Sequence, residues 1–536
     1  MRRLLAAIAL SLAVLASALA ACGSGGEADE SAAQRNNAGD PRPEPRPARK
    51  AADLPNVIFI YTDDQNLADF TPETMPRTYD LLADRGTTFR DYVVATPLCC
   101  PSRMSYLTGD YPHGTGVFAN LGGYRRFDDK FNALPVWLSN AGYSTAWVGK
   151  YLQGYDRYVE DPYETVPPGI DRWHGTFDAR YYRYGIADGK GGRDFRGDRP
   201  RDYYTNVITD YATRTIRREM GARGKKAKRQ RPLYMTVNNL APHTGGGQGG
   251  RCSGLVVPGP RDERAFSDAQ VPRTAAYNEA DVSDKPSFVP DRPLRRDRAE
   301  KIDLAYGCRL ASLRAVDRGV AEIYEAVKRE GELNDTVFFF TSDNGLLQGQ
   351  HRLGGKNRPY EEGIKMPLVV LAGKRALGGE QVREVSQLTA NIDLAPTILE
   401  LARARPCARP GNCRRMDGIS LVPLLRNGEG AAFGEDREIL IEGGKSRSDC
   451  LYAGIRTADL SYIEHAEAGA SGCDRAAQTE LYDLSGELTG NADPGQLDNL
   501  TSARVAASEE RRVVREARRL SRRTLELRRC DGRSCR

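Results

Sequence analysis

Histidine is scarce in this chain. Among 536 residues there are five, His113, His174, His243, His351 and His465, and none stand at the spacing that zinc sites use. That argues against a zinc centre. Beyond the first 21 residues no apolar run is long enough to cross a bilayer, which argues against a polytopic membrane fold. A surplus of charge is also lacking: the formal excess of +6 includes Arg2 and Arg3 of a leader and is too mild to point to nucleic acid. No internal repeat is visible, so a solenoid is not expected.

What is present begins with an export signal. The opening "MRRLLAAIALSLAVLASALAACGSGG" is two arginines, an apolar run and small residues before a cysteine, so residues 1–21 are set aside from the fold. Leu19, Ala20, Ala21 and Cys22 resemble a lipobox, in which the cysteine is acylated and becomes the new N-terminus. That reading expects an exported protein, lipid-anchored at the outer face of a bacterial membrane. The alternative is an ordinary cleaved leader with Cys22 incidental. Residues 22–54 are rich in Gly, Pro and charge and lack an apolar period, as a disordered tether does. The remainder is too long for one small core, so a large domain over 55–400 and a smaller one over 401–536 are expected.

Eleven cysteines in an exported chain invite pairing. Cys407 with Cys413, Cys450 with Cys473 and Cys530 with Cys535 fall close together, which leaves Cys252 and Cys308 for each other, although spacing does not fix connectivity. Cys99 and Cys100 remain. Adjacent residues close too small a ring for an ordinary bridge. A reactive thiol, a metal ligand, a longer bridge and a cysteine destined for conversion all stay open at this point.

The pattern beyond residue 54 is that of an α/β protein. "NVIFIYTDDQN", "PLYMTVNNLAPH" and "DTVFFFTSDNG" are apolar, β-rich runs that each stop at polar residues, and "KMPLVVLAG" is a further strand. "PETMPRTYDLLADRG" is helical in pattern, and "ALPVWLSNAGYSTAWVGKY" reads as helix, glycine stop and strand. Alternation of this kind gives a largely parallel sheet, and ligands then bind beyond the carboxyl ends of its strands. Asp63, Asp64, Lys150, His243, Asp343 and Asn344 sit at those ends. Residues 151–200 and 244–297 read as long loops over that edge, where specificity resides. The basic run at 223–232 reads as a solvated loop, with attraction of a polyanion as the alternative. After residue 400, "REILIEGG", "LYAGIRT" and "LSYIEHA" suggest a small antiparallel sheet. The Arg-rich tail is an amphipathic helix that packs its Val and Leu face on the second domain.

Asp63 and Asp64 with Asp343 and Asn344 offer oxygen ligands from two strand ends, suited to Ca²⁺ or Mg²⁺. Each dipeptide alone is equally a turn that closes a strand. The stretch "ATPLCCPSRMSYLTG" adds the decisive pattern. Cys99, Pro101, Ser102, Arg103 and the following "LTG" resemble the signature of type I sulfatases, where the first cysteine of C-x-P-S-R is oxidised to formylglycine by a separate maturation enzyme. "PNVIFIYTDDQ", "GKYL", "APH", "TSDNG" and the lysine of "GGKNRPYEEGIKMPLVV" occur in the family's order over residues 55–500. "CCPSR" with "GKYL" is most similar to the glucosamine-6-sulfatase branch.

The resemblance implies an alkaline phosphatase-like fold: a large, mostly parallel sheet flanked by helices, with a smaller C-terminal antiparallel subdomain. It implies hydrolysis of sulfate monoesters, sulfated sugars among them, through attack of a formylglycine hydrate on sulfur and a covalent sulfoenzyme. Asp63, Asp64, Cys99, Asp343 and Asn344 are then the ligands of Ca²⁺ or Mg²⁺, and Arg103 stabilises the hydrate. Lys150 and Lys356 hold the sulfate, and His243 lies at the leaving oxygen and serves with Lys356 as the acid. One position departs from many arylsulfatases, which place a proton-accepting histidine where this chain has Leu152. His351 is a candidate substitute or a supporting residue, while His113, His174 and His465 read as structural or surface residues. The alternatives are a phosphonate or phosphate ester hydrolase of the same superfamily and a non-catalytic lipoprotein that binds sulfated glycans.

Overall fold

The run NVIFIYT is apolar on both faces because it forms the centre of a sheet covered on both sides. The computed structural model describes residues 54–536 except 128, 190, 222–230, 247–249, 429, 431–432, 435, 447–448, 467–475 and 503–506. The leader, Cys22, residues 22–53 of the tether and most of the basic run lie outside the described residues. Eight strands make the main sheet: Asn56–Thr62 (β1), Thr87–Phe89 (β2), Ser144–Lys150 (β3), Arg172–Thr176 (β4), Leu233–Asn238 (β5), Thr336–Ser342 (β6), Leu368–Ala372 (β7) and Glu384–Val385 (β8). Their spatial order is β8-β2-β7-β6-β1-β5-β3-β4. Only β7 runs against its neighbours, and every other pair is parallel.

Alternation along each strand divides the interior in two, since successive side chains point to opposite faces. Val57, Phe59 and Tyr61 face one core with Tyr234, Val337 and Phe339. Ile58 and Ile60 face the other with Met235, Val237, Phe338 and Phe340. The first core is covered by helices Cys99–Thr108 (α1), Leu134–Asn140 (α2) and Leu394–Ala402 (α5), the second by Tyr204–Met220 (α3) and Arg296–Arg329 (α4). The largely parallel α/β sheet is as expected. Other elements are not, among them β4, which lies within the segment 151–200 that the sequence marks as loop, helix α3, and the 34-residue helix α4, which escapes the pattern. The described residues of 244–297 hold little regular structure, as expected.

A four-stranded antiparallel sheet follows, Ile439–Ser446 (β9), Asp449–Arg456 (β10), Leu460–Ala466 (β11) and Ala476–Asp483 (β12), in sequential order. Helix Ala507–Leu527 (α6) lies against β10 and β11 and buries Val513, Leu520 and Leu527, the apolar face anticipated for the tail. Disulfides join Cys252 to Cys308, Cys407 to Cys413 and Cys530 to Cys535. Cys473, expected to pair with Cys450, lies outside the described residues.

Candidate active site

Four neighbouring strands end at one place. Asp63 and Asp64 follow β1, Asp343 and Asn344 follow β6, Lys150 closes β3, and His243 lies on the loop after β5. Asp64 turns the chain with φ +68°, a left-handed conformation that is uncommon outside glycine and costs on the order of 1–3 kcal/mol unless its surroundings fix it. They do fix it. The Asp64 N–H donates to Asp343 Oδ1 at 3.1 Å, and its carbonyl accepts from the guanidinium of Arg309, which α4 carries. Arg309 is buried and donates as well to Asp69 Oδ2 at 3.0 Å, to Asn66 Oδ1 at 3.3 Å and to the Pro242 carbonyl at 3.3 Å.

Helix α1 presents the cysteine. Leu98 is extended, the helix opens at Cys99, and Pro101 falls in the first turn, where its missing N–H costs nothing. Gly109, at φ +76°, ends it in the left-handed conformation usual after a helix. All ten residues of α1 are buried. Cys99 Sγ accepts from Lys356 Nζ at 2.9 Å and lies 3.5 Å from Asp63 Oδ1 and 3.9 Å from Asp64 Oδ1. Its neighbour differs: the Cys100 N–H donates to Asn120 Oδ1 at 2.8 Å, and its sulfur packs so tightly on Gly123 that a Cβ there would come within 2.2 Å. Cys100 is a packed bystander.

Opposite charges alternate around Cys99. Arg103 donates to Asp343 Oδ2 at 2.9 Å, Asp63 Oδ2 at 3.1 Å and Asn238 Oδ1 at 3.2 Å, with its guanidinium over the Tyr61 ring. Lys150 pairs with Asp63, and Lys356 reaches Asp64 at 2.7 and 3.0 Å. His243 Nε2 is 3.8 Å from Asp64 Oδ2. Burial opposes ionisation of Asp63, but Lys150, His243, Arg103 and Lys356 outweigh it and hold the carboxyl well below the usual range. Asp343 goes the other way, raised to about 6 by burial and by the charge of Asp63. Burial and then Lys150 lower His243. Burial and then Asp63 push the Cys99 thiol up, so the unmodified sulfur is a neutral, weak nucleophile.

Ligand atoms of Asp63, Asp64, Cys99 and Asp343 lie within 4.8 Å of one another. Asn344 Nδ2 donates to Asp64 Oδ1 at 2.7 Å, while Asn344 Oδ1 is buried and has no hydrogen-bond partner among the described residues. A buried carbonyl oxygen left unsatisfied beside three carboxylates is what a hard, oxygen-seeking cation completes. The donor set fits Ca²⁺ or Mg²⁺ and does not suit zinc.

The structure gathers Asp63, Asp64, Cys99, Arg103, Lys150, His243, Asp343, Asn344 and Lys356 as expected, and puts His351 elsewhere. His351 is fully buried, with Nδ1 against Glu279 Oε2 at 2.6 Å and its ring against Tyr360. It lies on the hairpin that leads to Lys356, and its side-chain contacts are with Glu279 and Tyr360, while Leu152, the position of the missing histidine, is buried in the apolar core. Three contributors escaped the sequence reading. Asn238 was signalled by the polar end of β5, whereas Arg309 and Asn120 carry no local signal. The C-terminal sheet also reaches the site: Tyr452 donates to Asn357 Oδ1 at 3.0 Å, Arg456 to Glu361 Oε1 at 2.9 Å, and Tyr360 to Glu480 Oε1 at 3.0 Å.

Residues 55–404 match the family model described as Sulfatase. N-acetylglucosamine-6-sulfatase of Homo sapiens is 30% identical over 492 residues, covering 83% of this chain and 81% of that protein. The extracellular sulfatase SULF-1 homolog of Drosophila melanogaster is 31% identical over 379 residues; the match takes in 69% of this chain but only 31% of the longer fly protein. Among solved structures, one captured with its substrate D-glucosamine-2-N,6-O-disulfate superposes with a TM-score of 0.64 at 21% identity, over 87% of this chain and 97% of that one.

Proposed function

The chain belongs to the sulfatase family, and from that membership we propose that it hydrolyses sulfate monoesters of sugars through a formylglycine made from Cys99. One observation carries the reading. Cys99 is buried at the head of a helix among three carboxylates, with a lysine on its sulfur, where burial and Asp63 leave an unmodified thiol neutral and a weak nucleophile. The activity named for the human relative supports a sugar as the alcohol.

Asp63, Asp64, Asp343, Asn344 and the converted Cys99 would hold a Ca²⁺ or Mg²⁺ ion. Such an ion supplies positive charge that favours the ionised nucleophile. Conversion of Cys99 would supply a hydrated aldehyde with two hydroxyls, one to serve as the nucleophile toward sulfur and one whose loss of a proton would release sulfate and restore the aldehyde. A plain serine would lack that second route. Lys150 and Lys356, both cationic beside Asp63 and Asp64, meet the sulfate oxygens. His243 and Lys356 protonate the leaving alcohol, Arg103 fixes the orientation of Asp63 and Asp343 beside the hydrate, and the N-terminus of α1 adds its dipole. We further infer the division into a catalytic domain over 55–400 and a C-terminal subdomain over 401–536, behind a lipid anchor at Cys22 and a tether.

Mass spectrometry of the Cys99 peptide, from protein made beside a maturation enzyme, tests the conversion. The expected result is loss of the thiol at Cys99 with Cys100 unchanged, turnover of sulfate esters, and loss of that turnover on chelation of divalent ions. An intact thiol in active enzyme, or clear preference for a phosphonate or phosphate diester, would overturn the proposal.

A further inference from the structure

If the alcohol departs at His243, the remainder of a sugar chain must extend past that histidine, and a cavity of about 650 Å³ lies alongside the loop that follows it, lined in part by Gly246. Its volume is within the range of about 300–1,000 Å³ usual for ligand sites. Arg180, Tyr182 and Arg183 form one wall, and Gly246 and Glu263 contribute to the other. The two segments run side by side, with Arg180 bridged to Gly246 and the Gly246 N–H donating to the Ala179 carbonyl at 3.3 Å. Between the two wall residues, Tyr181 is buried and donates from its hydroxyl to the His243 carbonyl at 2.8 Å. Tyr181 thus braces the His243 loop, while Arg180 and Tyr182 on either side of it line the cavity.

The lining has the chemistry of a carbohydrate site. Tyr182 and Pro258 offer apolar surface to a sugar ring, and Glu263 and the Arg183–Asp198 pair, at 2.6 Å, offer planar polar groups to hydroxyls. Arg180 is exposed and makes no ion pair among the described residues, so its fork is free for an oxyanion. Resting on the sulfatase reading above, we propose that this cavity binds the sugar next to the one that loses sulfate, with Arg180 meeting an oxyanion on that second sugar.

The test compares two substrates of the holoenzyme: a small aryl sulfate, and an oligosaccharide with a sulfate ester on its terminal sugar and a second oxyanion on the next. Arg180→Ala is a surface change, whereas Tyr182 is half-buried against Tyr203, so Tyr182→Ala is paired with a melting-temperature measurement that reports its effect on folding. Each is expected to raise KM for the oligosaccharide by about tenfold, the loss of one charge-assisted contact, and to leave the aryl sulfate within about twofold. An oligosaccharide lacking the second oxyanion should be indifferent to Arg180→Ala. Equal effects on both sulfated substrates, or none on the oligosaccharide, overturn the site. If wild-type protein turns over no sulfate ester, the sulfatase reading fails by itself. Calorimetric titration with the same oligosaccharide then decides for the cavity, since binding weakened by Arg180→Ala supports it and unchanged binding overturns it.

Discussion

At the scale of the residue, Asp64 is where most constraints meet. It is a proposed metal ligand, the partner of Lys356 and Asn344, and a left-handed residue whose carbonyl rests on Arg309. Because that guanidinium also holds the Pro242 carbonyl, it ties the Asp64 turn to the loop of His243. Arg309→Lys keeps the charge but loses the fork, and groups that orient metal ligands typically contribute about 10–100-fold in affinity. Calorimetric titration of the metal-free protein with Ca²⁺ should show a loss of that order. The half-buried Arg437, paired with Asp393, is the control: Arg437→Lys should lower the melting temperature and spare Ca²⁺ affinity. The acidic dipeptides and the C-x-P-S-R spacing made the cluster of Asp63, Asp64, Cys99, Asp343 and Asn344, the proposed ligands, legible in sequence. Arg309 was not, because its acceptors Asp64, Asn66 and Asp69 lie some 240 residues away and nothing in α4 distinguishes it from other arginines.

At the scale of the element, the C-terminal sheet supports the loop that carries Lys356, through Tyr452 on Asn357 and Arg456 on Glu361. Tyr452→Phe removes one buried hydrogen bond, a loss of about 1 kcal/mol in stability. Because Asn357 adjoins Lys356, kcat should fall several-fold with little change in KM; an unchanged kcat would show the support to be merely structural. In α6, Leu520→Ala should cost about 2–5 kcal/mol, read as a lower unfolding midpoint in denaturant. The central strands were legible because buried parallel strands are continuous apolar runs that stop at polar ends. β4 was not, since Arg172 and His174 break its run and only pairing with β3 makes it a strand. Helix α4 was missed because its core-facing residues are interleaved with many arginines.

At the scale of the whole molecule, the C-terminus is fastened to the catalytic half through Asp417, which accepts from the Tyr111 N–H at 2.9 Å and the Gly532 N–H at 2.7 Å. Burial and then the nearby Asp110 raise this carboxyl to about 7. The folded protein therefore holds its proton more tightly than the unfolded chain, whose aspartates titrate near about 3.9. That contribution is complete below about pH 4 and is lost as pH rises through about 7, by at most about 1.4 kcal/mol per pH unit. The melting-temperature difference between wild type and Asp417→Asn should accordingly shift across pH 4–7. A constant difference would contradict it.

Helix α1 is sealed along its whole length, and its consequence is one of timing. An enzyme that reads C-x-P-S-R as a linear stretch must grip residues on both sides of Cys99, and in the finished protein every one of them from 99 to 108 is inaccessible. The proposed conversion therefore belongs to the newly made chain and has a deadline, the moment the sheet closes over α1. Protein folded without its maturation partner and mixed with it afterwards should keep both thiols, while a synthetic peptide of residues 95–109 should still be converted.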